Sequence, residues 1–212
     1  MKFKALLFDL DGTLIDSAQN LMLSWSLTLS EQGVNVKPEQ IKPYVGLSPK
    51  VIISKFINDP SDELVERLKE RRKYYFVKNI DKVKIYEDAL ELLVFAKQNG
   101  IKAALATSMG NDMLEEIIRY FELDKYLCCW VSAEDVKNPK PAPDVFLKAL
   151  EKTKEEKDKA LGVGDREYDI LALNSANIKS ALVVRDEYSF CKTAKPDYVV
   201  NKLSELIPLI QA

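Results

Sequence analysis

The stretch ALLFDLDGTLIDS, from Ala5 to Ser17, decides how the whole chain is interpreted. Its apolar start predicts a buried β-strand, and two carboxylates, Asp9 and Asp11, follow at the end of that strand, before a Gly-Thr pair. Negative charges at the edge of a hydrophobic core are costly unless cationic groups lie beside them. The stretch therefore predicts that a positive charge meets these two aspartates.

Other apolar runs alternate with helical patterns along the rest of the chain. They occupy residues 101–108, 127–133, 160–165, 180–185 and, more weakly, 197–200. Because they are almost continuously apolar, they favour a parallel sheet that is buried on both faces. Alternating strands and helices are typical of βαβ units, so the sequence predicts an α/β fold with a Rossmann-like, doubly wound parallel sheet.

The alternation is interrupted between Asp16 and about Ile85, where the apolar spacing is helical only. We therefore expect a core domain formed by residues 1–16 and 82–212, with a small helical cap domain inserted over residues 17–81. The insert follows the first strand directly. Open α/β sheets bind their ligands outside the carboxyl ends of the strands, so the insert is expected near the ligand.

Polar side chains follow the ends of the later strands as well. Thr107 and Ser108 end the second strand, Asp165 ends the fourth, Asp169 lies one helical turn further on, and Lys140 precedes a helix. Together with the first two aspartates, these groups fit metal-assisted phosphoryl transfer. Carboxylates supply the oxygen ligands that Mg²⁺ prefers, one carboxylate can act as nucleophile, and lysine and hydroxyl groups can hold phosphate oxygens.

The same stretches resemble, in order, the four motifs of the haloacid dehalogenase superfamily. FDLDGTLIDS resembles its DxDGT[LV] motif, ALATS its strand ending in Thr or Ser, NPKPAPDVF its KPxPxxF motif, and GVGDREYD its GDxxxD motif. The inserted helices are similar in position to the small C1 cap of the phosphoglycolate phosphatase-like branch. The resemblance therefore implies a hydrolase core with a cap.

For the first motif, the resemblance implies different roles for the two acids. Asp9 would be the nucleophile and a ligand of Mg²⁺. Asp11 would protonate the leaving oxygen and then act as the base for water, while its backbone carbonyl would ligate the metal. Gly12 would let the chain turn sharply after the acids, beside the bound phosphate.

For the later motifs, the resemblance implies phosphate and metal binding. Thr107, Ser108 and Lys140 would bind the transferring phosphoryl group, and Lys140 would also hold the nucleophile. Asp165 would be a metal ligand. Asp169 would either ligate the metal or orient the groups that do.

These residues predict a Mg²⁺-dependent phosphomonoester phosphatase that acts on a small phosphorylated metabolite through an aspartyl-phosphate. The chain contains no histidine, which excludes mechanisms that need a histidine base or ligand. One alternative is a β-phosphoglucomutase-like sugar phosphomutase, which is disfavoured because that branch usually carries a histidine shortly after the first motif. The other is a catalytically silent binding protein of this fold, although such proteins tend to lose an essential acid and none is missing here.

Composition limits the partners and the compartment. With 31 basic and 33 acidic residues and a formal net charge of −2, the chain gives no reason to expect a nucleic-acid partner. No apolar stretch approaches the ~20 residues that span a bilayer, and the N-terminal run is too short for a signal peptide. The three cysteines form no CxxC pattern, so we expect buried free thiols. A cytoplasmic monomer or homodimer is expected.

Overall fold

The computed structural model describes residues 1–45 and 47–212, apart from the side chain of Asp112. The chain forms two compact units. The first contains Met1–Ile15 and Ile85–Ala212, and the second contains Asp16–Lys84. These bounds lie close to the limits expected for the two domains, while the role of the second unit as a cap stays a prediction.

The first unit is built on a six-stranded sheet. Strands β1 to β8 span, in chain order, Ala5–Phe8, Ile15–Asp16, Lys84–Ile85, Lys102–Ala106, Leu127–Val131, Ala160–Gly164, Lys179–Val183 and Tyr198–Val200. Six of them pair in the order β5-β4-β1-β6-β7-β8, and all these pairings are parallel. The predicted doubly wound α/β sheet is confirmed. After β1, the chain adds β4 and β5 on one side of that strand and then β6, β7 and β8 on the other. The carboxyl end of β1 lies at this switch in strand order, which makes it the expected ligand position.

Helices fill the segments between these strands. Helices α1 to α9 span Ala18–Ser30, Pro38–Ile41, Pro49–Ser54, Asp62–Lys78, Glu87–Gln98, Asn111–Tyr120, Asp144–Thr153, Glu167–Ala176 and Leu206–Gln211. The first four belong to the second unit, and the others to the first. Within residues 1–45 and 47–212, none of these helices combines the length and the apolarity that crossing a bilayer demands.

The centre of the sheet is buried on both faces, as its apolar runs predict. Every residue of β1 is fully buried, and so is every residue of β6. Phe146 of α7 and Leu173 of α8 pack into one hydrophobic cluster with Leu7 of β1. The polar residues that follow β1 and β6 therefore begin directly at the edge of this hydrophobic core.

The edge strand β5 departs from the prediction. Leu127 lies opposite Ala103 and Cys129 lies opposite Ala104, so Cys128 is the extra residue of a β-bulge. Cys128 is exposed, and Cys129 is only half-buried. The expectation of buried thiols is therefore wrong here, because a bulge at a sheet edge turns a side chain away from the core.

The second unit has a hydrophobic core of its own. Trp25 and Leu29 of α1 pack in one cluster with Ile53 of α3 and Leu68 of α4. Helix starts follow ordinary signals: α2 and α3 begin at prolines, and the Ser61 hydroxyl accepts a hydrogen bond from a backbone N–H in the first turn of α4 at 3.2 Å.

Candidate active site

Three buried carboxylates meet at the carboxyl ends of β1 and β6. Asp9 directly follows β1, and its backbone N–H donates to the carbonyl of Val163 in β6 at 2.9 Å. Asp165 directly follows β6, and Asp169 lies in the first turn of α8. Each of the three aspartates offers one oxygen within 4.8 Å of the others. We call Asp9, Asp165 and Asp169 the carboxylate cluster.

Lys140 supplies the positive charge that the first motif calls for. Its Nζ donates to Asp9 Oδ1 at 2.6 Å and to Asp169 Oδ1 at 2.7 Å. The Lys140 side chain is only 1% exposed. Burial alone would lower its pKa, but the charges of Asp169 and Asp9 outweigh burial and raise the pKa. Lys140 is therefore cationic and ties two of the three acids together.

One ammonium group does not balance the carboxylate cluster. Burial raises the pKa of Asp169 to about 6, even though Lys140 acts in the opposite direction. Burial also raises the pKa of Asp165 well above its usual value. Raised pKa values mean that the ionised cluster is short of positive charge, which is the condition under which a divalent cation binds favourably.

Asp165 has one oxygen satisfied and one that accepts no hydrogen bond. The Thr13 hydroxyl donates to Oδ1 at 3.3 Å. The buried Oδ2 lies 2.9 Å from Arg166 Nε but makes no hydrogen bond with it. A buried carboxylate oxygen in this state is suited to ligating a cation. The all-oxygen donor set likewise fits the preference of Mg²⁺.

The backbone conformation and the close packing at position 12 both favour glycine. Its φ angle is +79°, in the left-handed region that favours glycine. A Cβ atom at this position would also clash with Oδ2 of Asp165. The sharp turn expected at Gly12 is present, and it brings the backbone directly against Asp165. Phosphate binding by Gly12 stays a prediction.

The other predicted residues lie on the same edge of the sheet. Thr107 follows β4, the neighbour of β1, and is buried, while Ser108 is half-buried. The Thr107 hydroxyl accepts a hydrogen bond from the Met109 N–H at 3.1 Å, which fixes its direction. Asp11 is half-buried, and its backbone forms an isolated bridge with Ile15. The phosphate and proton-transfer roles of these residues stay predictions.

Comparison with known proteins decides the family. Residues 6–183 match the model of a family described as haloacid dehalogenase-like hydrolase. The chain belongs to the haloacid dehalogenase-like hydrolases. The family expected from the four motifs is thereby confirmed.

Relatives within this family extend over almost the whole chain. A protein of Caldanaerobacter subterraneus subsp. tengcongensis, assigned the name pyrophosphatase PpaX, is 36% identical over 100% of this chain and 96% of its own. The phosphoglycolate phosphatase of Aquifex aeolicus is 32% identical over 98% and 96%. The crystal structure of β-phosphoglucomutase from Clostridium difficile covers 99% and 96%, with a TM-score of 0.82 and 25% identity. The relatives confirm the predicted enzyme class, a phosphatase.

Arg185 was missed by the sequence analysis and lies beside the candidate site. Arg185 follows β7, donates to the carbonyl of Thr13 at 3.1 Å and lies 3.0 Å from Asp88. Its guanidinium carbon lies 3.9 Å from the ring centroid of Tyr86. Arg185 thus supports the loop whose Thr13 hydroxyl holds Asp165. The sequence could have indicated Arg185 as a site residue because it lies just after one of the predicted strands.

Proposed function

We propose that this chain is a magnesium-dependent hydrolase that transfers the phosphoryl group of a small phosphorylated metabolite first to Asp9 and then to water. The contact between Lys140 Nζ and Asp9 Oδ1, at 2.6 Å inside the buried carboxylate cluster, carries the proposal. It places a cation against the Asp9 carboxylate directly after β1, and a carboxylate held in this way can act as a nucleophile.

The carboxylate cluster would hold the magnesium ion. When bound, the ion would neutralise negative charge on the phosphoryl oxygens and so lower the barrier to attack by an anion. Support comes from the oxygen donors within 4.8 Å of one another and from the Asp165 oxygen that accepts no hydrogen bond.

The chain's own residues would then divide the reaction into two displacements. An oxygen of Asp9 attacks phosphorus, and the bond from phosphorus to the leaving oxygen breaks as Asp11 donates a proton to that oxygen. In the second displacement Asp11 takes a proton from water, the water oxygen attacks phosphorus, and Asp9 is released. Thr107, Ser108 and Lys140 would hold the phosphoryl oxygens during both displacements.

The substrate is a small phosphorylated compound, and the names of the relatives suggest where to begin. Pyrophosphate and phosphoglycolate are the first compounds to assay, because one relative is named a pyrophosphatase and another a phosphoglycolate phosphatase. A sugar phosphomutase is the second candidate, favoured only by the β-phosphoglucomutase structure. The chain has no histidine to handle the sugar proton. Glucose 6-phosphate formed from β-glucose 1-phosphate and observed by NMR would establish the mutase instead.

Turnover of p-nitrophenyl phosphate by wild type, Asp9→Asn and the matched surface variant Asp158→Asn tests the proposal. Asp158 is exposed, so its replacement should leave turnover unchanged. Asp9→Asn should remove turnover, because an amide is a poor nucleophile, while the circular dichroism spectrum stays that of wild type. EDTA should stop wild-type turnover, and added Mg²⁺ should restore it. Wild-type rates in Asp9→Asn, or in EDTA, would overturn the proposal.

A further inference from the structure

Arg166 contacts both of the acids contributed by β6 and α8. Its backbone N–H donates to Asp169 Oδ2 at 3.1 Å. Its side-chain Nε lies 2.9 Å from Asp165 Oδ2, the carboxylate oxygen that accepts no hydrogen bond. Nothing in the GDxxxD pattern calls for an arginine at this position. The proposed reaction therefore assigns no role to this cationic side chain.

Asp186 fixes the guanidinium of Arg166 in place. Arg166 Nη1 donates to Asp186 Oδ1 at 2.8 Å, and Nη2 donates to Oδ2 at 3.1 Å, which is the paired geometry that suits a carboxylate. Asp186 Oδ1 also accepts from the backbone N–H of Tyr188 at 2.9 Å and from the Ser189 hydroxyl at 3.3 Å. Because Asp186 is anchored in its own turn, the guanidinium is held beside Asp165.

The placement of these charges decides how a bound cation is affected. Asp186 balances the overall charge of Arg166 through Nη1 and Nη2, but Nε of Arg166 lies directly against Asp165 Oδ2 at 2.9 Å. Arginine stays protonated throughout the ordinary pH range, so its charge cannot be removed by loss of a proton. A cation held by Asp165 is therefore repelled by a fixed positive charge on the same carboxylate.

We propose that Arg166, held by Asp186, is an internal counter-cation that weakens the binding of divalent cations by the carboxylate cluster. The inference rests on the proposed function, because it takes the cluster to be the metal site. Arg166 Nε lies against the Asp165 oxygen that a metal would also use, so Arg166 competes with the metal for that carboxylate. The site then binds its metal more weakly than three buried carboxylates would otherwise allow.

Manganese binding without substrate, followed by electron paramagnetic resonance, tests the inference directly. Arg166→Gln removes the charge and should tighten Mn²⁺ binding at least about fivefold, the effect between two unit charges at ~4 Å in water, which a divalent ion exceeds. Arg166→Lys keeps a charge and should lie between wild type and Arg166→Gln. Asp186→Asn leaves the guanidinium uncompensated and should weaken binding.

The surface variant Arg119→Gln is the matched control. Arg119 pairs with Glu116 at 2.8 Å, and its side chain is 70% exposed, so this substitution should leave Mn²⁺ binding unchanged. Equal or weaker binding by folded Arg166→Gln would overturn the inference and make Arg166 a residue that only positions Asp165. If Arg166→Gln does not fold, Asp186→Asn decides, and unchanged or tighter binding would overturn the inference.

The two proposals fail in different ways. Wild-type protein that binds no Mn²⁺ and needs no metal for turnover would overturn the metal site, and with it the proposed function. Wild-type protein that binds Mn²⁺ with the same affinity as Arg166→Gln would overturn the counter-cation alone.

Discussion

Replacing Lys140 by methionine should both destabilise the protein and stop turnover. The Lys140 ammonium is the only charge that joins Asp9 to Asp169 among the described contacts, at 2.6 and 2.7 Å. Methionine fills a similar volume beside the Phe146 ring, which lies 4.7 Å from Nζ, so packing changes little. The substitution therefore isolates the loss of charge from the loss of volume.

The magnitude follows from the burial of all three groups. The side chains of Lys140, Asp9 and Asp169 are 1%, 6% and 0% exposed. Removing one partner from a buried ion pair leaves an uncompensated charge and costs about 3–5 kcal/mol. We expect a loss of that size in the free energy of unfolding at pH 7, measured in EDTA by urea denaturation.

The loss should shrink as the pH falls. Burial already raises the pKa of Asp169 from 3.8 to about 6 in the presence of Lys140, and removing Lys140 raises it further. A carboxyl group with a higher pKa in the folded state than in the unfolded state favours folding once it is protonated, so stability is regained as pH falls through the folded pKa. The deficit of Lys140→Met should therefore be smaller at pH 5 than at pH 7.

A surface lysine provides the control for this experiment. Lys102 lies 2.8 Å from Glu155, and its side chain is 40% exposed, so Lys102→Met should cost no more than about 1 kcal/mol. If Lys140→Met costs no more than this control, or if its deficit does not change with pH, then Lys140 does not compensate buried charge and the reasoning fails.

Two further substitutions separate the roles of neighbouring residues. Asp11→Asn should slow hydrolysis of an alkyl phosphate by ~10²–10⁴-fold, the range of general acid catalysis. Hydrolysis of p-nitrophenyl phosphate should slow less, because its leaving group needs less protonation. Equal losses on both substrates would contradict the acid role. Gly12→Ala should destabilise the protein more than Gly33→Ala. Both glycines have positive φ angles, but of the two only position 12 would bring a Cβ atom against other atoms. Equal unfolding midpoints in urea would contradict the tight fit against Asp165.

The positions of the principal acids could be predicted because they depend on local order along the chain. An apolar run that ends in Asp9, and another that ends in Asp165, identify two parallel strands whose carboxyl ends share one edge. That β1 and β6 are direct neighbours did not follow from the pattern, since strand order depends on packing over the whole sheet. Lys140 could be placed at this edge from its position just before a helix, but its pairing with Asp9 followed only from the motif resemblance.

The charged residues around the carboxylate cluster could not be predicted from the spacing of residues along the sequence. Arg166 and Asp186 are 20 residues apart, and Arg185 and Thr13 are 172 apart, so each pairing exists only once the sheet is assembled. Arg166 also lies inside a recognised motif, at a position whose identity the motif leaves open. The bulge at Cys128 was missed for a related reason, because the extra residue is defined by its pairing with β4 and leaves no mark on the composition of the strand.

The charges of the site also predict the order in which its ligands bind. A phosphate ion approaching the metal-free site meets Asp9, Asp165 and Asp169, whose ionised charges exceed those of Lys140 and Arg166, so anion and cluster repel each other. A bound divalent cation would add two positive charges beside these acids, so the repulsion falls and phosphate can bind. Inorganic phosphate should therefore bind only in the presence of Mg²⁺, with heat detectable by calorimetry in Mg²⁺ and none in EDTA. Equal phosphate affinity in both buffers would show that the carboxylates do not face the anion.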